Sequence, residues 1–294
     1  MRAHAVHVGA GHAGRPAWPA FGFPLAVAER LGDLATAALI AELETWPKPG
    51  LVSPVDPGSH HDMDADTFRR SAASLRPYFV RLAMAGAACA GMGRLREIGL
   101  AAEAAMLDAT GGVNTHRGAL FALGLLCAAA GAARAEGRTA SPADTVRHRW
   151  RDAILCGPPA PDSHGSRVAH LFGAGGARAE AAAGFPHIRH IGLPALHRGR
   201  ALAHDEAGAR VHAFFCLLAA VDDTNLLHRG GAEGLRYAQT AAQRFLAAGS
   251  VGQPDWLPQA VALHRAFTTR RLSPGGCADL LAATLFLDWI ETEP

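Results

Sequence analysis

Residues 31–47, LGDLATAALIAELETWP, space Leu31, Leu34, Ala38 and Ala41 three or four positions apart. That is the repeat of one face of an α-helix, with Asp33 acidic near its start and Pro47 stopping it. The stretch carries Glu42 and Glu44 to the last turns of the helix. Similar apolar periods predict helices at roughly 94–109, 116–132, 142–155, 166–184, 205–221, 231–248, 256–270 and 276–291. A further helix is opened or capped by Asp66, with Phe68, Leu75, Phe79 and Leu82 for its buried face. Ala and Leu are abundant, whereas the β-formers are scarce, with 2 Tyr and few Ile. Local propensity therefore favours helix almost everywhere, and the fold class is all-α, a multi-helix globular bundle interrupted by long Gly/Pro-rich loops.

With 294 residues, 49% of them hydrophobic and 18% charged, the chain can bury a substantial core and is too apolar to be disordered. Residues 1–30 are rich in Gly, Pro, His and Ala without a sustained period and read as a flexible N-terminal extension. Residues 31–294 read as a single helical catalytic domain, in which 132–165, rich in Arg, Ala, Pro and Gly, is a variable excursion between two halves of one cleft. The 28 basic and 26 acidic residues are well mixed, so no nucleic acid is expected as partner. A small polyanion held by a few chosen cations remains compatible with that balance. The five cysteines, Cys89, Cys127, Cys156, Cys216 and Cys277, form no C-x-x-C pair and suggest neither a disulfide framework nor a zinc site. No apolar run is expected to reach the ~18–20 uncharged residues of a membrane span. The N-terminus also lacks the order of a signal peptide, so a cytoplasmic location without membrane contact is expected. Assembly as a homodimer stays open.

Four clusters carry groups suited to chemistry. The first is Glu42, Lys48, His60, Asp62 and Asp64, gathered by a helix end and the loop from Pro47 to Asp62. Lys48 stands between two prolines, which suits an ammonium aimed at a phosphate, and the aspartates are hard oxygen ligands. Taken singly, these are also an ordinary turn and an ordinary helix start. The second, TGGVNTHRG at 110–118, precedes an apolar helix and offers an anion cradle through its glycines, backbone amides and Arg117. The alternative is a glycine loop with Thr115 as cap and Asn114 in a left-handed turn. The third, Asp222, Asp223, Asn225, His228 and Arg229 before Gly230 and Gly231, follows a buried helix. Adjacent carboxylates there call for a cation, an amide or a helix end; a solvated acidic turn is the bland alternative. The fourth, SPGGCADLL at 273–281, is a capped helix start with Gly275 and Gly276 allowing close approach, and Cys277 as packing.

The series PKPGLV, GSHHDMD, GGVNTHRGALFALGLL, ARAEAAAGFP, DDTNLLHRGG and LSPGGCADLLA resembles the triphosphoribosyl-dephospho-CoA synthase family from about Glu42 to Leu287. The wording LVSPVDPGSHHDMD is more similar to the malonate decarboxylase branch than to the citrate lyase branch. The resemblance implies one nucleotide-binding cleft and a transfer of the ribose 5-triphosphate unit of ATP to the 2′-hydroxyl of 3′-dephospho-CoA, with release of adenine. A different transferase would then load the product onto an acyl-carrier subunit. Bond breaking at the ribose builds oxocarbenium-like charge, for which Asp222 and Asp223 are the implied stabilisers. Glu42, Asp62 and His116 are the implied bases. The triphosphate calls for Mg²⁺ together with Lys48, Arg117, Arg178 and Arg229. His60, Asn114, Thr115, Asn225, Ser273, Gly275 and Gly276 complete the implied substrate-binding set. Asp62, Glu103, Glu180, Asp223 and Asp279 are the implied metal ligands. The chain departs from the family pattern at Arg117, where Lys is common, at Ala179, where Gly is common, and at Cys277, where Ser is common.

Two rival readings use parts of the same residues. His60, His61 and Asp62 with the Asp222–Asp223 pair would make a metal-dependent nucleotide phosphohydrolase. A non-catalytic carrier of dephospho-CoA would need the basic residues and leave the carboxylates dispensable. Neither accounts for four anion-compatible loops together with separate acidic groups.

Overall fold

The structure is a computed structural model and describes residues 23–158, 168, 175–203 and 205–292. Eleven α-helices order the described residues, and no strand occurs among them. The first is α1, Leu25–Leu43. It begins ahead of Leu31, so part of the expected extension belongs to the helical body; residues 1–22 lie outside the described residues. Then come α2 Ala65–Ala87, α3 Met92–Thr110, α4 Arg117–Ala135 and α5 Pro142–Leu155. The second half holds α6 Gly176–Ala182, a π-turn at Ile188–Gly192, α7 Leu193–Ala203, α8 Glu206–Ala220, α9 Thr224–Ala247, α10 Trp256–Thr269 and α11 Gly275–Thr292.

Helix α4 is the hub of the first half, packed by α1, α2, α3 and α5 and by α11 from the second. At a mean hydropathy of 1.6 over its best window it is long and apolar enough to cross a membrane, although Arg117 and Arg134 keep its uncharged run short of the expected span length. It is 78% buried in that window, so its apolarity serves the interior of the bundle. Small residues let α2 come close. A Cβ on Gly86 would stand 1.8 Å from the Ala128 carbonyl oxygen, and one on Gly131 would stand 2.1 Å from that of Ala83. Helix α11 joins the halves, touching α1 and α4 on one side and α8 and the π-turn on the other.

Three expectations change in detail. The cap of α2 is Asp64, whose Oδ1 accepts the Thr67 amide at 2.8 Å, and Asp66 lies inside the first turn. The helix expected from 231 begins earlier, at Thr224, and Gly231 is its kink, at φ 60° and ψ −163°. The span 166–184 yields only α6 among the described residues, and α7 had no sequence expectation. The expected excursion contains α5, whose Trp150 is buried and donates its indole N–H to the Ala90 carbonyl at 3.3 Å. Residues 159–165 of that span lie outside the described residues.

The loop between α1 and α2 is irregular, as its prolines and glycines require, and it is fastened to the elbow between α10 and α11. Ser59 Oγ donates to the Leu272 carbonyl at 2.7 Å. The His264 ring sits between the Lys48 carbonyl at 3.1 Å and Asp56 Oδ1 at 3.0 Å. These bonds hold the loop over the start of α11, which closes one pocket between the two halves.

Candidate active site

The pocket takes its lining from every part of that junction: Leu39 and Glu42 of α1, the α1–α2 loop, Phe68 of α2, residues 114–119, Asn225 and Arg229 of α9, and Ser273 through Ala282 at the start of α11. All four sequence clusters therefore contribute to one site.

Its floor is acidic. Glu42 is almost fully buried at 5% exposure, and Lys48, at 1%, lies beneath it. The Lys48 ammonium donates to Glu42 Oε1 at 2.5 Å and to the Glu42 backbone carbonyl. Burial lowers the Lys48 ammonium from its ordinary value, and the Glu42 contact works against that. Lys48 is thus a support for Glu42 and does not line the pocket, which corrects its expected role as a phosphate ligand. Asp279 is the second carboxylate of the floor. It accepts the Ala119 amide, and Gly118 leaves room for it, because a Cβ there would meet Asp279 Oδ2 at 2.0 Å. Burial, then the nearness of Glu42 and Asp223, pushes the Asp279 carboxyl well above the usual carboxylate range.

The rim is basic and polar. Arg229 reaches over the mouth, donating to the Ser59 carbonyl at 3.4 Å and facing His60 Nδ1 at 3.3 Å. His60 Nε2 meets Ser273 Oγ at 2.9 Å. Burial, followed by the Arg229 charge, lowers the His60 imidazole to about 4, so it is neutral near pH 7. Arg117 opens α4, pairs with Glu103 at 2.5 Å, and keeps a buried Nε without a partner. Glu103, implied above as a metal ligand, is engaged in anchoring this arginine. Asn114 Oδ1 accepts the Arg117 amide at 3.2 Å, and Asn225 and Gly275 complete the rim.

His116 stands in the wall, 3% exposed, with its ring edge-on to Phe68 at 4.8 Å. Its Nδ1 lies 2.6 Å from Ser71 Oγ, and Thr115 Oγ1 donates to the same Ser71 oxygen at 2.7 Å. Burial, then the Lys48 charge, lowers His116 to about 3. Ser71 and the site role of Phe68 escape a reading of sequence because they sit in the first two turns of α2 with no local motif. Their only signal is the helical spacing from Asp64, which puts them on one face.

Other expected site residues are elsewhere. Asp223 is buried at 1% exposure and caps two helices. Its Oδ1 accepts the Asn225 and Leu226 amides at 2.8 and 3.1 Å, and its Oδ2 the Cys277 amide at 2.8 Å. Burial pushes its carboxyl up while these three amides hold it down, and burial dominates. Gly276 packs on that carboxylate, 3.0 Å from where its Cβ would stand. Asp222 is exposed and turns to Gln239, which donates to it at 3.4 Å. The adjacent aspartates thus diverge, and neither lines the pocket. Asp62 is 63% exposed, 3.8 Å from His60 Nδ1, at the outer edge. Arg178 closes the C-terminal end of α5, donating to the carbonyls of Ile154 at 3.0 Å and Gly157 at 2.7 Å. Glu180 holds His187, accepting its backbone amide at 2.9 Å and its ring Nδ1 at 2.7 Å. The glycines Gly111 and Gly112 reverse the chain after α3, at φ 67° and 91°, instead of approaching a ligand.

The expected cradle of free helix amides is likewise altered. Asp223, Asp279 and Asn114 already accept most of the first-turn amides of α4, α9 and α11, so an anion would be met chiefly by Arg117, Arg229 and polar side chains. A buried acidic floor under a basic rim is a site for a substrate carrying both strong negative charge and a carbon that becomes positive.

Residues 28–294 match the model of a family described as ATP:dephospho-CoA triphosphoribosyl transferase. The chain belongs to that family. The similarity extends to curated relatives over nearly their whole length. A probable 2-(5''-triphosphoribosyl)-3'-dephosphocoenzyme-A synthase of Azotobacter vinelandii is 44% identical over 273 residues, covering 90% of this chain and 92% of the relative. A protein of the same description from Stutzerimonas stutzeri is 43% identical, covering 89% and 91%. One from Pseudomonas aeruginosa is 44% identical, covering 88% and 90%. No solved structure matches the chain. Arg117 offers the site a planar guanidinium fork, here anchored by Glu103.

Proposed function

We propose that the chain transfers the 5-triphosphoribosyl unit of ATP to the 2′-hydroxyl of 3′-dephospho-CoA and releases adenine. The observation that carries this reading is the acidic floor of Glu42 and Asp279 facing the rim of Arg117 and Arg229 in a pocket built from all four loops. The pocket is partly open with a volume of about 150 Å³, which suits the reacting centre, with the longer arms of two nucleotides extending through the mouth.

The triphosphate lies against Arg117 and Arg229, with Asn114, Asn225 and Ser273 to orient it. The bond from ribose C1 to adenine breaks as the 2′-oxygen of dephospho-CoA bonds to C1, and positive charge develops on that carbon. Glu42, steadied by Lys48, faces this charge and takes the 2′-hydroxyl proton, a role typically worth ~10²- to 10⁴-fold. The departing adenine gains one proton, so the reaction balances. The crowding of Asp279 by two neighbouring carboxylates suits a divalent cation, and Asp279 would hold Mg²⁺ together with triphosphate oxygens. Bound there, the ion would offset triphosphate charge. The divergence of Asp222 and Asp223 and the exposure of Asp62 disfavour a two-metal hydrolase. The malonate decarboxylase branch is our proposed destination for the product, supported by the wording at 51–64.

Purified protein with ATP, Mg²⁺ and dephospho-CoA should release adenine only when dephospho-CoA is present and form the triphosphoribosyl adduct, read by mass spectrometry. Phosphate without adenine would instead indicate hydrolysis, and binding without turnover a carrier. Deleting the gene should leave the malonate decarboxylase carrier subunit without its prosthetic group, read from the mass of that subunit.

A further inference from the structure

The pocket wall holds one buried ring nitrogen without a partner, His116 Nε2. A buried polar atom left unpaired is costly, and such a cost persists where a ligand completes the bond. The proton on the imidazole is decided on the other side of the ring. Thr115 Oγ1 donates its only proton to Ser71 Oγ at 2.7 Å. Ser71, fully buried on α2, then has its own proton to give, and His116 Nδ1 lies 2.6 Å away to receive it. A neutral imidazole whose Nδ1 accepts carries its proton on Nε2. Phe68, edge-on at an interplanar angle of 76°, holds the plane of the ring. The apolar side of the same pocket, Leu39, Leu51, Val52, Met63 and Phe68, suits a flat heterocycle, whereas the arginines claim the phosphates.

On the basis of the transferase reading above, we propose that Ser71 is a positioning residue that, fed by Thr115, fixes His116 as the Nε2–H tautomer, and that this N–H donates a hydrogen bond to the departing purine. Purine ring nitrogens gain electron density as the bond to C1 breaks, so a fixed donor there favours the transition state over the bound substrate. The proton stays on Nε2 throughout. His116 therefore acts as a neutral donor, in place of the base that its residue type suggests.

The experiment combines nitrogen NMR of enzyme labelled in its histidine rings with steady-state assay of adenine release, using His116→Gln to assign the His116 signals. Wild-type enzyme should show a bare Nδ1 and a protonated Nε2 across pH 6–8. Ser71→Ala should mix or invert the tautomers and lower kcat about 10²-fold, the size seen when one preorganised donor is lost, with little change in KM for ATP. Thr115→Val, in the part-buried pocket lining, should move both readouts in the same direction, and Thr115→Ser should restore them. A protonated Nδ1 in the wild type, or an unchanged kcat in a folded Ser71→Ala enzyme, would overturn the proposal. If wild-type enzyme releases no adenine at all, the transferase reading fails and purine donation fails with it, while the NMR signals still report whether Ser71 sets the tautomer.

Discussion

At the scale of single residues, the site separates carboxylates that face the pocket from carboxylates that hold the frame. Glu42 and Asp279 line it; Asp223 caps α9 and α11; Asp222 is outside. Glu42→Gln keeps the shape and removes the charge, so kcat/KM for adenine release should fall by about 10²-fold or more. Asp222→Asn should leave it within about threefold, since surface changes away from a site are worth little. Equal losses in both variants would restore the aspartate pair as the reacting carboxylates. Sequence made membership of the pocket legible at Glu42, His60, His116, Arg117, Arg229 and Ser273, because each lies in or close beside a stretch rich in glycine or proline, with Glu42, His116 and Arg117 at or near a helix end. It did not reveal which of two adjacent aspartates points inward, since that depends on which helix end approaches from 54 residues away, here the Cys277 amide. Nor did it reveal that Lys48 is buried, because a proline-framed lysine looks the same whether its ammonium meets a phosphate or a glutamate.

At the scale of elements, the pocket depends on how closely α2 and α4 approach, since α2 carries Ser71 and Phe68 and α4 carries Arg117 and Gly118. That approach rests on Gly86 and Gly131 meeting opposite backbones. Gly86→Ala would force a methyl within 1.8 Å of the Ala128 carbonyl oxygen. The helices must then separate, costing roughly 1–3 kcal/mol. Gly99→Ala is the control, because nothing lies within 4 Å of its added Cβ on α3. It should stabilise by ~0.5–1 kcal/mol through helix propensity and the lost freedom of the unfolded chain. Urea midpoints of the two variants should therefore move in opposite directions, and a shared direction would count against the close packing. Helix positions were readable because the 3.6-residue period survives in most segments. The kink at Gly231 and the helix at Leu193–Ala203 were not, because a glycine pair and a proline read locally as breakers, whereas Pro194 falls in the first turn, where proline is tolerated, and contact with α8 holds both helices.

At the scale of the whole molecule, closing the two halves over the pocket buries imidazoles in their neutral form, and stability should therefore depend on pH. His116 is lowered to about 3 and His60 to about 4, each chiefly by burial, and burial also lowers His212. An unfolded histidine titrates near ~6.5, so between pH 6.5 and about 4 the unfolded chain binds protons that the folded one refuses. Stability is then full above pH 6.5 and falls as the solution is acidified. Other groups modify this: Asp223 and Asp279, pushed up by burial, keep protons at pH values where unfolded carboxyls have lost them, and so oppose the acid loss. His187, raised by its hydrogen bond to Glu180, contributes in the opposite sense, with stability present below pH 6.5 and lost as pH rises through its folded value. Asp288, held low by Arg200 and His197 against burial, adds to the acid loss at lower pH, below the ordinary carboxylate range. The lowered histidines by themselves make stability rise with pH between about 4 and 6.5, and removing one of them should flatten the profile. His116→Gln removes one of the three. Its denaturation midpoint, measured by urea at pH 7 and at pH 5, should change less between the two pH values than that of the wild type. A slope as steep as the wild type's would mean that the imidazole at 116 is open to protons in the folded state, and with it the pocket wall.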